Sequence, residues 1–197
     1  MIMESKLLTT TTGDLILGPL LIKNEIYEDK RGFFYESWNK SKFNNLVSEE
    51  INFDQDNHSK SQKGVLRGLH YQLYPQPQGK LVRCIKGEIF DVAVDIRKKS
   101  KTFGKWIGCY LNDQNKNELW VPVGFAHGFL TLSDSAEVIY KTSGYWDKDC
   151  ERSIIWNDKT INIEWPLFKS EINSPVLSQK DNNAPTLQDA LEKGETL

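Results

Sequence analysis

The sequence contains no apolar run approaching the length of a membrane span, no CxxC pair and no large excess of either charge. The first absence excludes a helix that crosses a bilayer, which needs about 20 consecutive apolar residues. The first 17 residues are rich in threonine and lack the basic start and apolar core of a secretory signal, so a cytoplasmic protein is expected. Cys84, Cys109 and Cys150 are odd in number and scattered, which argues against a disulfide framework and a zinc cluster alike. A formal net charge of -2 carries no basic excess, so neither nucleic acid nor membrane is an expected partner. Any anionic ligand must then be met by local positive charge.

What is present describes an ordinary globular chain, with 39% hydrophobic and 26% charged residues. A chain of 197 residues is expected to form a single domain over 1–197. Its core is expected at about 18–166, with a C-terminal extension at 167–197 packing on it and the last residues forming a loose tail.

The local patterns predict mostly strands. Residues 18–22 read as a short strand, 29–32 as a turn and the aromatic stretch 33–38 as another strand. Phe43, Leu46 and Val47 at helical spacing predict a short peripheral helix within 39–50. From 51 to 156 the pattern changes to period two punctuated by glycine. Its clearest case is Phe90, Val92, Val94 and Ile96 alternating with Ile89, Asp91, Ala93 and Asp95, so that one face of the strand is apolar. With 80–85 and the turn at Lys86 and Gly87 it makes a hairpin. Further strands are expected at 106–111, 119–123, 129–132 and 136–142. Strands and helices do not alternate, so the expected fold class is all-β, a sandwich or jelly-roll barrel able to hold one ligand. After Pro166 the pattern offers a helical turn at 167–171, an ambiguous 177–181 and a tail from 185 with room for one short helix.

The stretch from Gly64 to Gln72 sets Arg67 and His70 beside glycines in an apolar run of Val65, Leu66, Leu69 and Tyr71. Gly68 weakens a strand unless the chain bulges or something approaches closely. Arg67 and His70 differ in parity, so they share a cavity only if Gly68 bulges or Arg67 reaches around an edge. An imidazole is a suitable general base at neutral pH. Lys80, Arg67 and Arg31 supply positive charge for an enolate or a diphosphate. Tyr140 shares parity with Val138 and Thr142, which allows an inward phenol to act as an acid. The bland alternatives are a hydrogen-bonded core histidine, a surface arginine pair, a solvated lysine and a core tyrosine.

Pro122, Gly124 and His127 resemble the second motif of the cupin jelly rolls. In a metal cupin the first motif has two histidines one residue apart plus a carboxylate; here the partner position of His70 is Gln72. The ligand set for zinc or iron is incomplete, and neither metal nor cofactor is expected. The stretches beginning at Asp29, Gln55, Gly64, Gln78, Gly87, Phe103, Val121, Tyr140, Trp156 and Leu177 together resemble, in order, the dTDP-4-dehydrorhamnose 3,5-epimerase family of metal-free cupins.

That resemblance implies a cupin-type jelly roll with a few short peripheral helices, acting on a dTDP-linked 4-keto-6-deoxyhexose. It implies His70 as the base with Asp181 as its partner, Tyr140 as the acid, and Lys80 stabilising the enolate with His127 close by. Arg31, Glu36, Gln55, Asp56, Asn57 and Arg67 match substrate-binding positions, and Glu151 and Lys180 match positions that contact the nucleotide. Trp146 stands where the family usually stacks a tyrosine on thymine. The resemblance also implies a homodimer in which the N-terminal strand crosses over, so that Arg31, Phe34 and Glu36 complete the neighbour's site. Alternatives are a mono-epimerase or ketoisomerase of a related sugar, a non-catalytic sugar-binding jelly roll, and a metal-dependent oxygenase that Gln72 disfavours.

Overall fold

The structure is a computed structural model and describes residues 3–197. In chain order its strands are β1 (Met3–Thr9), β2 (Leu15–Asn24), β3 (Tyr27–Asp29), β4 (Gly32–Phe34), β5 (Gln55–Gln62), β6 (Leu66–Gln72), β7 (Lys80–Lys86), β8 (Glu88–Asp95), β9 (Trp106–Asn112), β10 (Glu118–Val121), β11 (Phe125–Thr131), β12 (Ser135–Thr142) and β13 (Glu151–Ser153). Helix α1 (Lys40–Val47) precedes β5. A 3-10 turn (Phe168–Ser170), α2 (Gln179–Asn182) and α3 (Leu187–Glu192) follow β13. Six strands pair in the order β1-β2-β10-β7-β12-β5 and five in the order β13-β6-β11-β8-β9, while β3 and β4 form a separate hairpin. The fold is the expected all-β jelly-roll barrel.

The two sheets close on an interior filled by Val82, Val121 and Val138 from one wall and Ile89, Ala93, Ile107, Phe125 and Phe129 from the other. Both faces of β8 are buried. Its apolar face of Phe90, Val92, Val94 and Ile96 lies outside the barrel, against Ile154, Ile161, Trp165, Leu187 and Ala190 of the C-terminal extension. The face carrying Asp91 and Asp95 points inward or to the barrel end, so this strand places its carboxylates where the interior is functional.

On the other sheet, α1 begins at Asn39, whose side chain accepts from the Lys42 N–H at 3.1 Å. Such a cap satisfies an otherwise orphan donor. Phe43 is fully buried among Ile22, Leu81 and Trp120, with Trp38 and Phe53 ring to ring beside it. The helix therefore closes a third cluster on the outer face of the six-stranded sheet.

Four expectations need correction. The threonine-rich start, apart from residues 1–2, which lie outside the described residues, contains β1 and the beginning of β2; pairing with β2 turns a polar edge segment into a strand. The strand expected over 33–38 ends at Phe34, and the one expected from 129 begins at Phe125. The last residues are also not loose. Thr186 and Asp189 form a capping box that starts α3, Leu187 and Ala190 are buried, and Tyr71 Oη donates to the Glu195 carbonyl at 2.7 Å. Leu197 exchanges backbone hydrogen bonds with Ile96 and Lys98. The apolar outer face of β6 and β8 would otherwise meet water, and this polar-looking segment is what covers it.

Candidate active site

β6 and β11 pair directly, with His70 opposite His127 and Arg67 opposite Phe129. Three residue steps on β6 thus match two on β11, which is a bulge at Gly68. Directly opposed residues share a face, so Arg67, His70, His127 and Phe129 lie on the barrel-facing side, His127 and Phe129 buried and Arg67 exposed at the rim, where its Nε donates to Ser61 Oγ at 3.0 Å. The parity conflict is resolved by the glycine. Gly68 has φ +122, and a Cβ there would lie 2.5 Å from the Gly128 Cα and 2.7 Å from the His127 carbonyl oxygen. Only paired glycines let the two backbones approach so closely.

His70 Nε2 lies 2.6 Å from Asp181 Oδ1. Asp181 is the buried residue of α2, a helix capped by Ser178, whose Oγ accepts from the Asp181 N–H at 3.0 Å. Burial pushes the Asp181 carboxyl up, but the His70 hydrogen bond and charge, Ser178 and the Gly68 backbone outweigh it, and the net shift is downward. An ionised carboxylate only accepts, so His70 Nε2 carries the hydrogen, and in the neutral imidazole the lone pair is then on Nδ1. The imidazole is 29% exposed against 4% for its aspartate, which leaves the free nitrogen within reach of a ligand.

His127 repeats the arrangement deeper in the barrel, with Nε2 2.6 Å from Asp91 Oδ1. Both residues are buried, and Asp91 Oδ2 has no hydrogen-bond partner. Asp91 was not among the expected site residues. Its signal was a carboxylate inside an otherwise apolar strand, since a buried charge needs a partner.

Lys80 begins β7 and its Nζ donates to the His70 carbonyl at 3.2 Å. Burial pulls the ammonium down to about 8, against the attraction of Glu151 and Asp91 and with some repulsion from Lys180. It is thus mostly cationic at neutral pH. Tyr140 enters from β12, paired with Val82 and Asn57, so it approaches from the sheet opposite His70. Its phenol is raised by burial, with Arg67 lowering and Glu151 raising it further, and it keeps its proton at neutral pH.

His70, Lys80 and Tyr140 line a polar pocket of about 100 Å³ together with Gln55, Asn57, Gln72, Gln78, Trp146 and Glu151, while Arg67, His127 and Asp181 are not part of its lining. Glutamines position the loop there. Buried Gln72 donates to the carbonyls of Gln76 and Tyr145 and accepts from the Asp147 N–H, Gln55 accepts from the Trp146 N–H, and Gln78 donates to the Gly144 carbonyl. Trp146 is held in this way and is 54% exposed. Gln72 and Gln78 were missed as site residues because their work is to hold backbone, which no side-chain pattern announces. Glu151 Oε2 pairs with Lys180 Nζ at 2.6 Å.

Not every expected residue converges on this pocket. Asp56 alternates with Gln55 and Asn57, so it faces the other side of β5 and pairs with Lys141 at 2.9 Å. Arg31 sits on the β3–β4 hairpin, its side chain 84% exposed and paired with Asp29. Phe34 lines a separate open hollow of about 710 Å³ with Phe33, Arg83 and Lys116. Glu36 pairs with Lys42 of α1. A single chain keeps these three away from His70.

A family model described as dTDP-4-dehydrorhamnose 3,5-epimerase matches residues 14–189. A protein of that name from Shigella flexneri is 57% identical over 171 residues, covering 87% of this chain and 92% of that protein. Among solved structures, a dTDP-6-deoxy-D-glucose-3,5-epimerase from Legionella pneumophila in complex with dTDP-4-keto-L-rhamnose is 45% identical, with a TM-score of 0.85 and 94% of each chain covered. A 3'-monoepimerase from Streptomyces bikiniensis in complex with dTDP-quinovose is 32% identical, with a TM-score of 0.84 over 91% of this chain and 88% of that one. A barrel holding a histidine and a tyrosine on facing walls, matched at this identity over nearly its whole length, belongs to the dTDP-4-dehydrorhamnose 3,5-epimerase family.

Proposed function

We propose that this protein inverts C3 and C5 of dTDP-4-dehydro-6-deoxy-D-glucose, giving dTDP-4-dehydro-L-rhamnose. Both carbons flank the C4 ketone, which acidifies their protons. His70 Nδ1 takes the proton, and the C–H electron pair moves into the ketone as an enolate. The Lys80 ammonium stabilises the enolate oxygen, with His127 beside it. Tyr140 then gives its phenolic proton to the opposite face of the carbon. His70 loses its proton to solvent and Tyr140 regains one, so the protein ends unchanged. The observation that carries this reading is the placement of His70, backed by Asp181 at 2.6 Å, on the wall facing Tyr140.

In this reading Gln55, Asn57 and Arg67 hold the sugar and diphosphate, Trp146 stacks on the base, and Glu151 and Lys180 lie against the nucleotide. The protein acts as a homodimer. The exposed hairpin with Arg31, Phe33 and Phe34 reaches into the neighbouring barrel, which accounts for an arginine and aromatics held out in water. Glu36 belongs to the same contribution. Three unpaired cysteines suit a reducing cytoplasm. No helix among the described residues is long and apolar enough to cross a membrane.

Incubation with the dTDP-4-keto-6-deoxyglucose substrate in D2O with a chelator, followed by proton NMR of the sugar, tests the function. Deuterium at both C3 and C5 is the expected result. Label at one carbon would mean a mono-epimerase, and no label would leave a sugar-binding jelly roll.

A further inference from the structure

Lys180 and Asp181 are consecutive on α2, and each holds a different pocket residue. Asp181 bonds His70 and Lys180 bonds Glu151, both at 2.6 Å. Glu151 opens β13 opposite Gln72 and lines the pocket with His70, Lys80, Tyr140 and Trp146. We propose that Glu151, beyond any contact with the nucleotide, is a positioning residue for the reaction, a negative charge fixed by Lys180 that keeps Lys80 a cation and Tyr140 a proton-bearing phenol through turnover. The inference rests on the epimerase reading above.

The charges facing these groups make Glu151 the natural agent. Lys80 meets Glu151 and Asp91 as anions and Lys180 as a cation. Tyr140 meets Arg67 as a cation and Glu151 as an anion. Of the two carboxylates acting on Lys80, Asp91 is already committed to His127. Among the described residues, Glu151 acts on both the oxyanion cation and the proton donor. Its own carboxyl is pushed up by burial but held below its ordinary value overall by Lys180 and His70, with a hydrogen bond from Trp146, so it is ionised wherever the enzyme works. An enolate forming beside a neutral lysine would have no countercharge, and a phenolate could not return a proton. A carboxylate at the pocket mouth raises the pH at which either loss occurs.

The test is the pH dependence of kcat for Glu151→Gln, an isosteric change that keeps hydrogen bonding and removes the charge. The basic limb is expected to move about half a unit or more toward lower pH, with a smaller change in KM. Glu151→Asp is expected to restore the limb. An NMR titration of the labelled Lys80 ε-carbon reads the same shift without turnover, so a slow variant is still informative. A rise in KM with the basic limb and the Lys80 titration unmoved overturns the proposal and leaves a nucleotide contact only. If wild-type protein exchanges no sugar proton with D2O, the epimerase reading itself has failed and this inference falls with it.

Discussion

His70 and His127 face each other across the β6–β11 ladder, each with an aspartate 2.6 Å from its Nε2. The two pairs differ in burial. His127 and Asp91 are closed inside the barrel, while His70 keeps part of its ring open to the pocket. An imidazole that exchanges protons with substrate and solvent must be the open one, and this difference in exposure is what favours His70 as the proposed base.

His70→Ala is expected to lower kcat by about 10³-fold or more, within the range for loss of a general base. Asp181→Asn keeps the shape but weakens the orientation and basicity of the ring, and a loss of about 10 to 10²-fold is expected. Because the Asp181 carboxyl lies below its ordinary 3.8 in the folded protein, its ionisation stabilises the fold above that pH, and the contribution is lost as pH falls through the lowered value. Acid unfolding of Asp181→Asn should lack this component. Wild-type kcat for either variant would remove the dyad from the mechanism.

Lys80 should set a basic limit. With its ammonium brought down to about 8, kcat is expected to fall above that pH as the cation is lost. The unfolded chain binds a proton at Lys80 that the folded one has released between about 8 and the ordinary 10.5, so this group makes stability rise with pH over that window. Activity and this part of stability therefore move in opposite directions. Parallel kcat and urea-unfolding profiles for wild type and Lys80→Met would show it, and an unchanged activity limb in the variant would contradict it.

Gly68→Ala should be among the most damaging single-methyl changes in the chain. The new Cβ meets the backbone of Gly128 and His127, at a φ that L residues rarely adopt. A loss of about 3 kcal/mol or more is expected. Any protein that folds should have lost the bulge that puts Arg67 and His70 on one face. Denaturant unfolding and kcat measure the two effects, and a stable, fully active variant would show that the bulge is dispensable.

Mixing tests the crossed hairpin. Arg31→Ala and His70→Ala homodimers are each expected to be nearly inactive. Co-refolded, they should recover activity, because one heterodimer site receives Arg31 from one chain and His70 from the other. No recovery in a mixture that exchanges subunits would place Arg31 in its own chain's site or outside the chemistry.

Much of this molecule could be read along the chain. Period-two alternation with glycine punctuation marked β7, β8, β9 and β12, since strand faces repeat every two residues regardless of what they pack against. The apolar spacing of α1 is equally local. His70 and the glycines around it stood out because they are poorly suited to a plain strand, and Tyr140 because its parity with Val138 and Thr142 allowed an inward phenol.

The rest was decided by partners distant in sequence. Residues 3–9 are a strand because β2 offers its edge, and residues 187–197 are ordered because the outer face of β6 and β8 must be covered. The apolar face of β8 turned out to be the outside of the barrel, a choice that alternation alone leaves undetermined, since both faces are buried. Asp181 meets His70 across 111 residues and Asp91 meets His127 across 36. Sequence by itself determined the central strands, their turns and the residue types the chemistry needs. Tertiary structure alone decided which faces look inward and which carboxylate serves which histidine, because burial and pairing are properties of the closed barrel and of no single segment.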